Sequence, residues 1–465
     1  MSLALATQLD VAAQVLDLVR AAVGPDAEAE VLVAREELAL TRFANSFIHQ
    51  NVADATTGVR LRLHRDGRTA AGATTVTSDE GLRELVARTV EASRLAPRDP
   101  GWPGLAPPEP VLTKGTVDEA TVGTAPSERA ARVRAFVDAA AGLETAGYCQ
   151  TRYISAAFAN SAGQSLSGAT TAATMDGIVR TGSSDGVARL ASSRLADIDG
   201  AILGARALAK ARAGANPIEL PPGRYEVVLE PGAMVDVLRN MAAYGFNGKA
   251  YNERISFVEP GAQQLDPSIT LYDDTTAPGA VGLPFDAEGT PKRRLELVSG
   301  GVTRAVAHDR RTAAEGGTTS TGHALAGAGA FGAVPVNLAL PPAGSGERVS
   351  EVEGPATDSS VAALVSGVER GLLVTDHWYT RVLDPRTMVV TGLTRNGVWL
   401  IEHGEITRPV QNLRFTQSYP QALAPGAVLG VGTHSVAQPP DWEIEWMACP
   451  AVRLASWNYT GGASG

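Results

Sequence analysis

The sequence predicts an α+β protein, with an N-terminal α/β domain followed by a large antiparallel, β-rich C-terminal domain. Three observations carry this expectation. Helical and strand periods alternate through the first 218 residues. From Tyr225 onward, apolar runs recur at short spacing between Gly- or Asn-Gly-based turns. Gly 49 and Pro 28 supply many turns but are too dispersed to mark disorder. The expected divisions are an α/β domain over 1–96, a Pro-rich linker over 97–126, a central α+β region over 127–218 and the β-rich domain over 219–465.

The elements follow from local pattern. "DVAAQVLDLVRAAV" puts Ala12, Val15, Leu16, Val19 and Ala22 on one helical face. "AEVLVAREE" reads as a strand. "GVRLRLHRDGRTAAGATT" alternates, with Val59, Leu61 and Leu63 inward, Arg60, Arg62 and His64 outward, and a hairpin turn at Asp66-Gly67. A helix is expected to open at Thr77, with Glu80 completing a capping box. "APRDPGWPGLAPPEP" is the Pro-rich connection. A helix from Ser127 follows, then short Ala/Ser/Thr-rich strands over about 147–195, then "GAILGARALAKARAG" ending at Gly214. In the last region only 231–244 is a clear helix, with Pro231 at its first position and Met234, Val235, Leu238, Met241 and Ala242 as its apolar stripe.

Composition narrows the function. The chain has 465 residues and a net charge of −10, which disfavours nucleic-acid contact. Asp10 and Asp17 interrupt the first apolar run, so no signal peptide is expected. No run approaches 18 apolar residues, so no membrane span is expected either. Cys149 and Cys449 lie 300 residues apart and read as free core thiols, consistent with a cytoplasmic protein.

Chemically, the sequence is reticent. The turn Arg239-Asn240-Met241-Ala242-Ala243-Tyr244 carries no nucleophile, acid or metal ligand on an otherwise well-built helix. In "PFDAEGTPKRR", Asp286 and Glu288 read either as an acid–base pair or as a charged turn. "TSTGHALAGAGAFGA" is a small-residue loop with His323, without phosphate-loop spacing. The seven histidines show no compact zinc spacing.

The strings "RFANSFIHQN" (42–51), "PFDAEGTPKRRLELVSGGV" (284–302), "STGHA" (320–324) and "GLTRNGVWLIEHGEITRPVQNLRFTQS" (392–418) resemble the TldD/PmbA family of modulators of DNA gyrase. The resemblance implies that family's fold and a pair of chains. The TldD kind is a zinc metallopeptidase with His-Glu-x-x-x-His on a helix after a strand, and the PmbA (TldE) kind lacks the motif. Laid on the pattern, Arg239, Asn240 and Tyr244 occupy the His, Glu and His positions. Arg cannot bind zinc and Asn cannot act as a base. Cys449 sits too close to the terminal strand to match the family's late Cys ligand.

The resemblance therefore implies a non-catalytic subunit with no cofactor of its own, paired with a TldD-like zinc peptidase. Such a pair acts on small or modified peptides, including natural-product precursors. Tyr244, Phe246, Asn247, Phe285, Asp286, Glu288, Thr321 and His323 are the expected groove or interface residues. Two other readings stay open at this point: a metal-free hydrolase using His323 or the Asp286/Glu288 pair, and a scaffold acting on gyrase or another macromolecule.

Overall fold

The computed structural model describes residues 2–344, 359–440 and 445–462. Its first sheet holds β1 (Glu28–Ala44), β2 (Phe47–Arg65), β3 (Arg68–Thr74), β4 (Glu144–Asn160), β5 (Ser165–Arg180) and β6 (Asp185–Ser192), in the order β3-β2-β1-β4-β5-β6. The Pro-rich connection therefore joins two halves of one sheet. Helices α1 (Ser2–Val23) and α2 (Asp79–Leu95) cover the half that contains β1–β3. The short α3 (Glu119–Val122) leads to α4 (Pro126–Ala139) and α5 (Gly200–Ala213), which cover the other half.

Several elements differ from the sequence reading. Strands β4 and β5 run 17 and 16 residues rather than forming short pieces. Their Ala, Ser and Thr are small enough to lie against helices without the bulky alternation that marks a long strand. Helix α2 starts one residue later than expected: the Ser78 side chain accepts from Gly81 N and makes the N-cap. Val59, Leu61 and Leu63 are buried as the alternation requires. The face carrying Arg62 and His64, however, meets other parts of the chain. Arg62 pairs with Glu30 and Glu288, and the His64 ring stacks on Trp102 with centroids 4.7 Å apart.

The C-terminal region builds two further sheets. Its strands are β7 (Gly223–Leu229), β8 (Leu271–Asp273), β9 (Leu295–Ser299), β10 (Val302–Thr303), β11 (Leu338–Ala339), β12 (Arg370–Asp384), β13 (Val389–Glu402), β14 (Glu405–Pro409), β15 (Leu413–Ser418), β16 (Val428–Val431), β17 (Val436–Gln438), β18 (Met447–Cys449) and β19 (Val452–Gly462). One sheet runs β10-β9-β8-β11-β18-β17. The other runs β12-β7-β19-β15-β13-β14, and β12 also pairs with β13, so its path closes on itself. Helix α6 (Pro231–Asn240) leaves β7 and lies between this closed path and β18, within the largest apolar core. No helix among the described residues is long and apolar enough to cross a membrane.

Candidate functional site

Helix α6 is held at both ends. Pro231 takes its first position, where the missing N–H is no loss. The cap residue Glu230 receives Lys210 Nζ from α5 at 2.6 Å. Met234, Leu238, Met241 and Ala242 are fully buried, each of the larger ones contributing about 1.5–3 kcal/mol. After Asn240 the helix widens into a π-turn over Met241–Gly245, closed by Phe246 N donating to Met241 O at 2.8 Å. Such turns cluster at functional sites. Gly245 is required there, because a methyl group would overlap the Phe257 ring.

The resemblance-aligned positions do not converge. Arg239 points to Glu445, its Nε 2.8 and 3.0 Å from the two carboxylate oxygens. The pair is nearly dry: 13% of the Arg239 side chain and 2% of the Glu445 side chain are exposed. Asn240 donates to Asp236 O at 2.9 Å and lies 3.4 Å from Thr380 Oγ1. Tyr244, 37% exposed, meets Phe331 edge-on at 6.1 Å. Cys449 lies at the far end of α6, 3.5 Å from Pro231 O, and burial raises its thiol pKa. A cation, an amide engaged by its own helix and an outward phenol do not fit zinc. No group of three His, Cys, Asp or Glu among the described residues makes a metal site.

A cavity of about 370 Å³ lies between β4–β6 of the first sheet, α6 and the middle of β12 and β13. Its wall is charged. Arg189 donates to Asp176 at 2.9 Å within the first sheet, and to both oxygens of Asp376 on β12 at 2.7 and 2.8 Å. Asn396 Nδ2 reaches Asp376 at 2.7 Å. Gly232 leaves room for this carboxylate, since a methyl group there would overlap Asp376 Oδ1. Arg395 stacks over Trp378 at 4.3 Å and has no carboxylate partner among the described residues. Trp378 is 50% exposed at the same rim.

Behind the cavity, Asp236 accepts from Thr380 Oγ1 at 2.8 Å and from Tyr419 OH at 3.0 Å. The His377 ring is packed between Phe415 and Trp457, and neither ring nitrogen has a hydrogen-bond partner among the described residues. Burial pushes its pKa down to about 3, so it is neutral at physiological pH.

The remaining expected groove residues divide by burial. Phe246 is in the core, edge-on to Phe257. Asn247 caps the short helix after the π-turn and donates to Ala243 O and Phe331 O. Phe285 packs with Phe158 and Leu166. Asp286 accepts from Glu288 N, Thr290 N and Ala324 N, each at 2.9 Å, so it ties its own turn to the small-residue loop. Burial, then the Glu288 charge, pushes its pKa up to about 7. Glu288 accepts from Arg62 at 2.9 Å and from Arg310 N at 2.8 Å. Thr321 Oγ1 lies 2.9 Å from His323 Nδ1, and His323 Nε2 lies 3.2 Å from Asp273.

Sequence reasoning missed Arg189, Asp236, Asp376, His377 and Glu445. Only Asp236 left a signal, as an acid inside the apolar run "AMVDVL".

Comparison with known proteins defines the class first. The chain matches the PmbA/TldA metallopeptidase C-terminal domain over residues 222–461 and PmbA/TldA metallopeptidase domain 1 over 29–93. It belongs to the PmbA/TldD family. Its fold is similar to that of TldE from Thermococcus kodakarensis, with a TM-score of 0.83 and 17% identity over 96% of this chain and 100% of the other. It is also similar to candidate modulators of DNA gyrase from Thermotoga maritima and Bacteroides thetaiotaomicron. The former has a TM-score of 0.78 at 17% identity, covering 96% of this chain and 100% of the other. The latter has 0.80 at 18%, covering 97% and 98%. At these identities the likeness is one of fold. Among curated proteins, none matches the chain in sequence.

Proposed function

We propose that this chain is the non-catalytic, TldE-like member of a two-chain zinc metallopeptidase, and that a TldD-like partner carries the metal. The observation that supports this best is Arg239. Where the family's motif has its first His stands a guanidinium locked by two hydrogen bonds to a buried carboxylate. A fixed positive charge there repels a divalent cation and supplies no lone pair. None of the seven histidines in this sequence is followed by Glu, so the His-Glu pair is not displaced elsewhere in it.

The role left to such a chain is to shape the peptide site. The cavity beside α6 offers the half-exposed Trp378 and, stacked on it, Arg395, which has no carboxylate partner among the described residues; these suit a peptide's side chains and carboxylate. Small or modified peptides, including natural-product precursors, are the proposed substrates, and the cytoplasm is the proposed location.

Mixing tests the proposal. The chain alone should hold no stoichiometric zinc and cleave no unstructured peptide. With a His-Glu-x-x-x-His family member it should form a complex whose peptidase activity chelators abolish. Cleavage by the chain alone, lost in Asp286→Asn or His323→Ala, would establish an independent hydrolase instead.

A further inference from the structure

A second cavity, of about 420 Å³, lies at the other end of the first sheet. Tyr148 borders the first cavity and Phe158 the second, ten residues along β4, or roughly 30 Å at strand rise. Glu30, Arg62 and Glu288 line its depth, and the small-residue loop at Ala326, Gly327 and Gly329 forms its exposed rim. Leu32, Phe158 and Leu325 make apolar walls.

The charges at its depth do not balance. Arg62 Nε lies 2.6 Å from Glu30 Oε1, and Arg62 Nη2 donates to Glu288 at 2.9 Å, so two carboxylates share one guanidinium. Glu288 has a further donor in Arg310 N, and the neighbouring Asp286 has three backbone donors. Among the described residues Glu30 Oε2 has none, although Glu30 is only 5% exposed. A buried carboxylate oxygen without a donor is costly, and one further cationic donor would relieve it.

We propose that this cavity binds a primary amine carried on an apolar body, with the ammonium directed toward Glu30 and the body against Leu32, Phe158 and Leu325. The ammonium supplies the missing donor and charge, and a charge-assisted bond in a dry setting is stronger than one in water. A metal ion is a poorer occupant, because Arg62 already stands between the carboxylates. Arg60 also borders the cavity, but it is exposed near Gly327 at the rim, where solvent screens it. The strain at Glu30 has an independent mark. Burial pushes its carboxyl up to about 7 against the opposing pull of Arg62, with the Glu288 and Asp286 charges adding to the rise.

Titration calorimetry of the full chain with 3-methylbutylamine, 3-methylbutanol and 4-methylpentanoate tests this. The amine should bind, and the neutral and anionic analogues should not. Glu30→Gln should weaken the amine by about tenfold or more, with unchanged circular dichroism. Ala326→Trp, which fills the exposed mouth and leaves every charge in place, should also block it. Equal binding of amine and alcohol, no binding of the amine, or full binding by Glu30→Gln would each overturn the proposal.

Discussion

Replacing Arg239 with Met keeps most of the side chain's apolar stem and removes its charge. The structure sets the size of the effect. Glu445 is 2% exposed, and the two bonds from Arg239 Nε, together with Nη2 at 2.6 Å, supply its countercharge. Losing one partner of a buried pair costs about 3–5 kcal/mol, mostly because the other charge stays buried alone. Replacing both partners with apolar groups is often near neutral. Urea denaturation of wild type, Arg239→Met, Glu445→Met and the double variant closes a double-mutant cycle. Each single variant should lose about 3 kcal/mol or more, and the double variant should lie close to wild type. A loss below about 1 kcal/mol in Arg239→Met, or a coupling near zero, would refute the reading of Arg239 as a locked structural cation. It would also remove the main support for a metal-free helix.

Four further outcomes are expected. Arg239→His, Asn240→Glu and Tyr244→His together should not restore peptidase activity in a cleavage assay, because Glu445 lies beside Arg239 while Tyr244 is turned outward against Phe331 and Cys449 lies at the other end of α6, so the ligands do not converge. Gly232→Ala should cost about 1–3 kcal/mol in denaturant melts, since the new methyl displaces Asp376 from Arg189. The Glu30 carboxyl, raised to about 7 in the folded chain, contributes stability that is full below about pH 4.5 and lost as pH rises through 7. Glu30→Gln should therefore gain on wild type between pH 5 and pH 8 in paired melts. Burial pushes the Cys149 thiol up to about 12 and raises Cys449 further, so a thiol reagent should label neither until the chain is unfolded.

What the sequence disclosed was whatever has a local period. The alternation at 59–64 located a core face, and Pro231 with the stripe Met234, Leu238 and Met241 located α6. What it hid was set by distant pairing. Arg189 meets Asp376 across 187 residues and Arg239 meets Glu445 across 206, and an ion pair imposes no spacing on the chain between its partners. The same limit explains Arg62. Its position on the polar side of an alternating strand was legible, but the acids that cover it come from Glu30 on a neighbouring strand and from a turn at Glu288. The wide turn at Met241–Gly245 was hinted at by Gly245, yet the ring of Phe257 that packs against that glycine comes from a loop twelve residues on, and no local period marks it.

The closed strand path has a consequence for how the protein is made. Strand β19 lies between β7 and β15, and β7 was synthesised more than 200 residues earlier. Until Val452–Gly462 leaves the ribosome, β7 and β15 each present an unpaired edge, and Trp457 is missing from the stack that encloses His377. The first sheet, whose strands end at β6 and whose covering helices end at α5, can be in place well before then. The unfinished strand path is thus the stage at which a nascent chain is most open to wrong pairing with a neighbour, and β19 acts as the latch that ends that exposure.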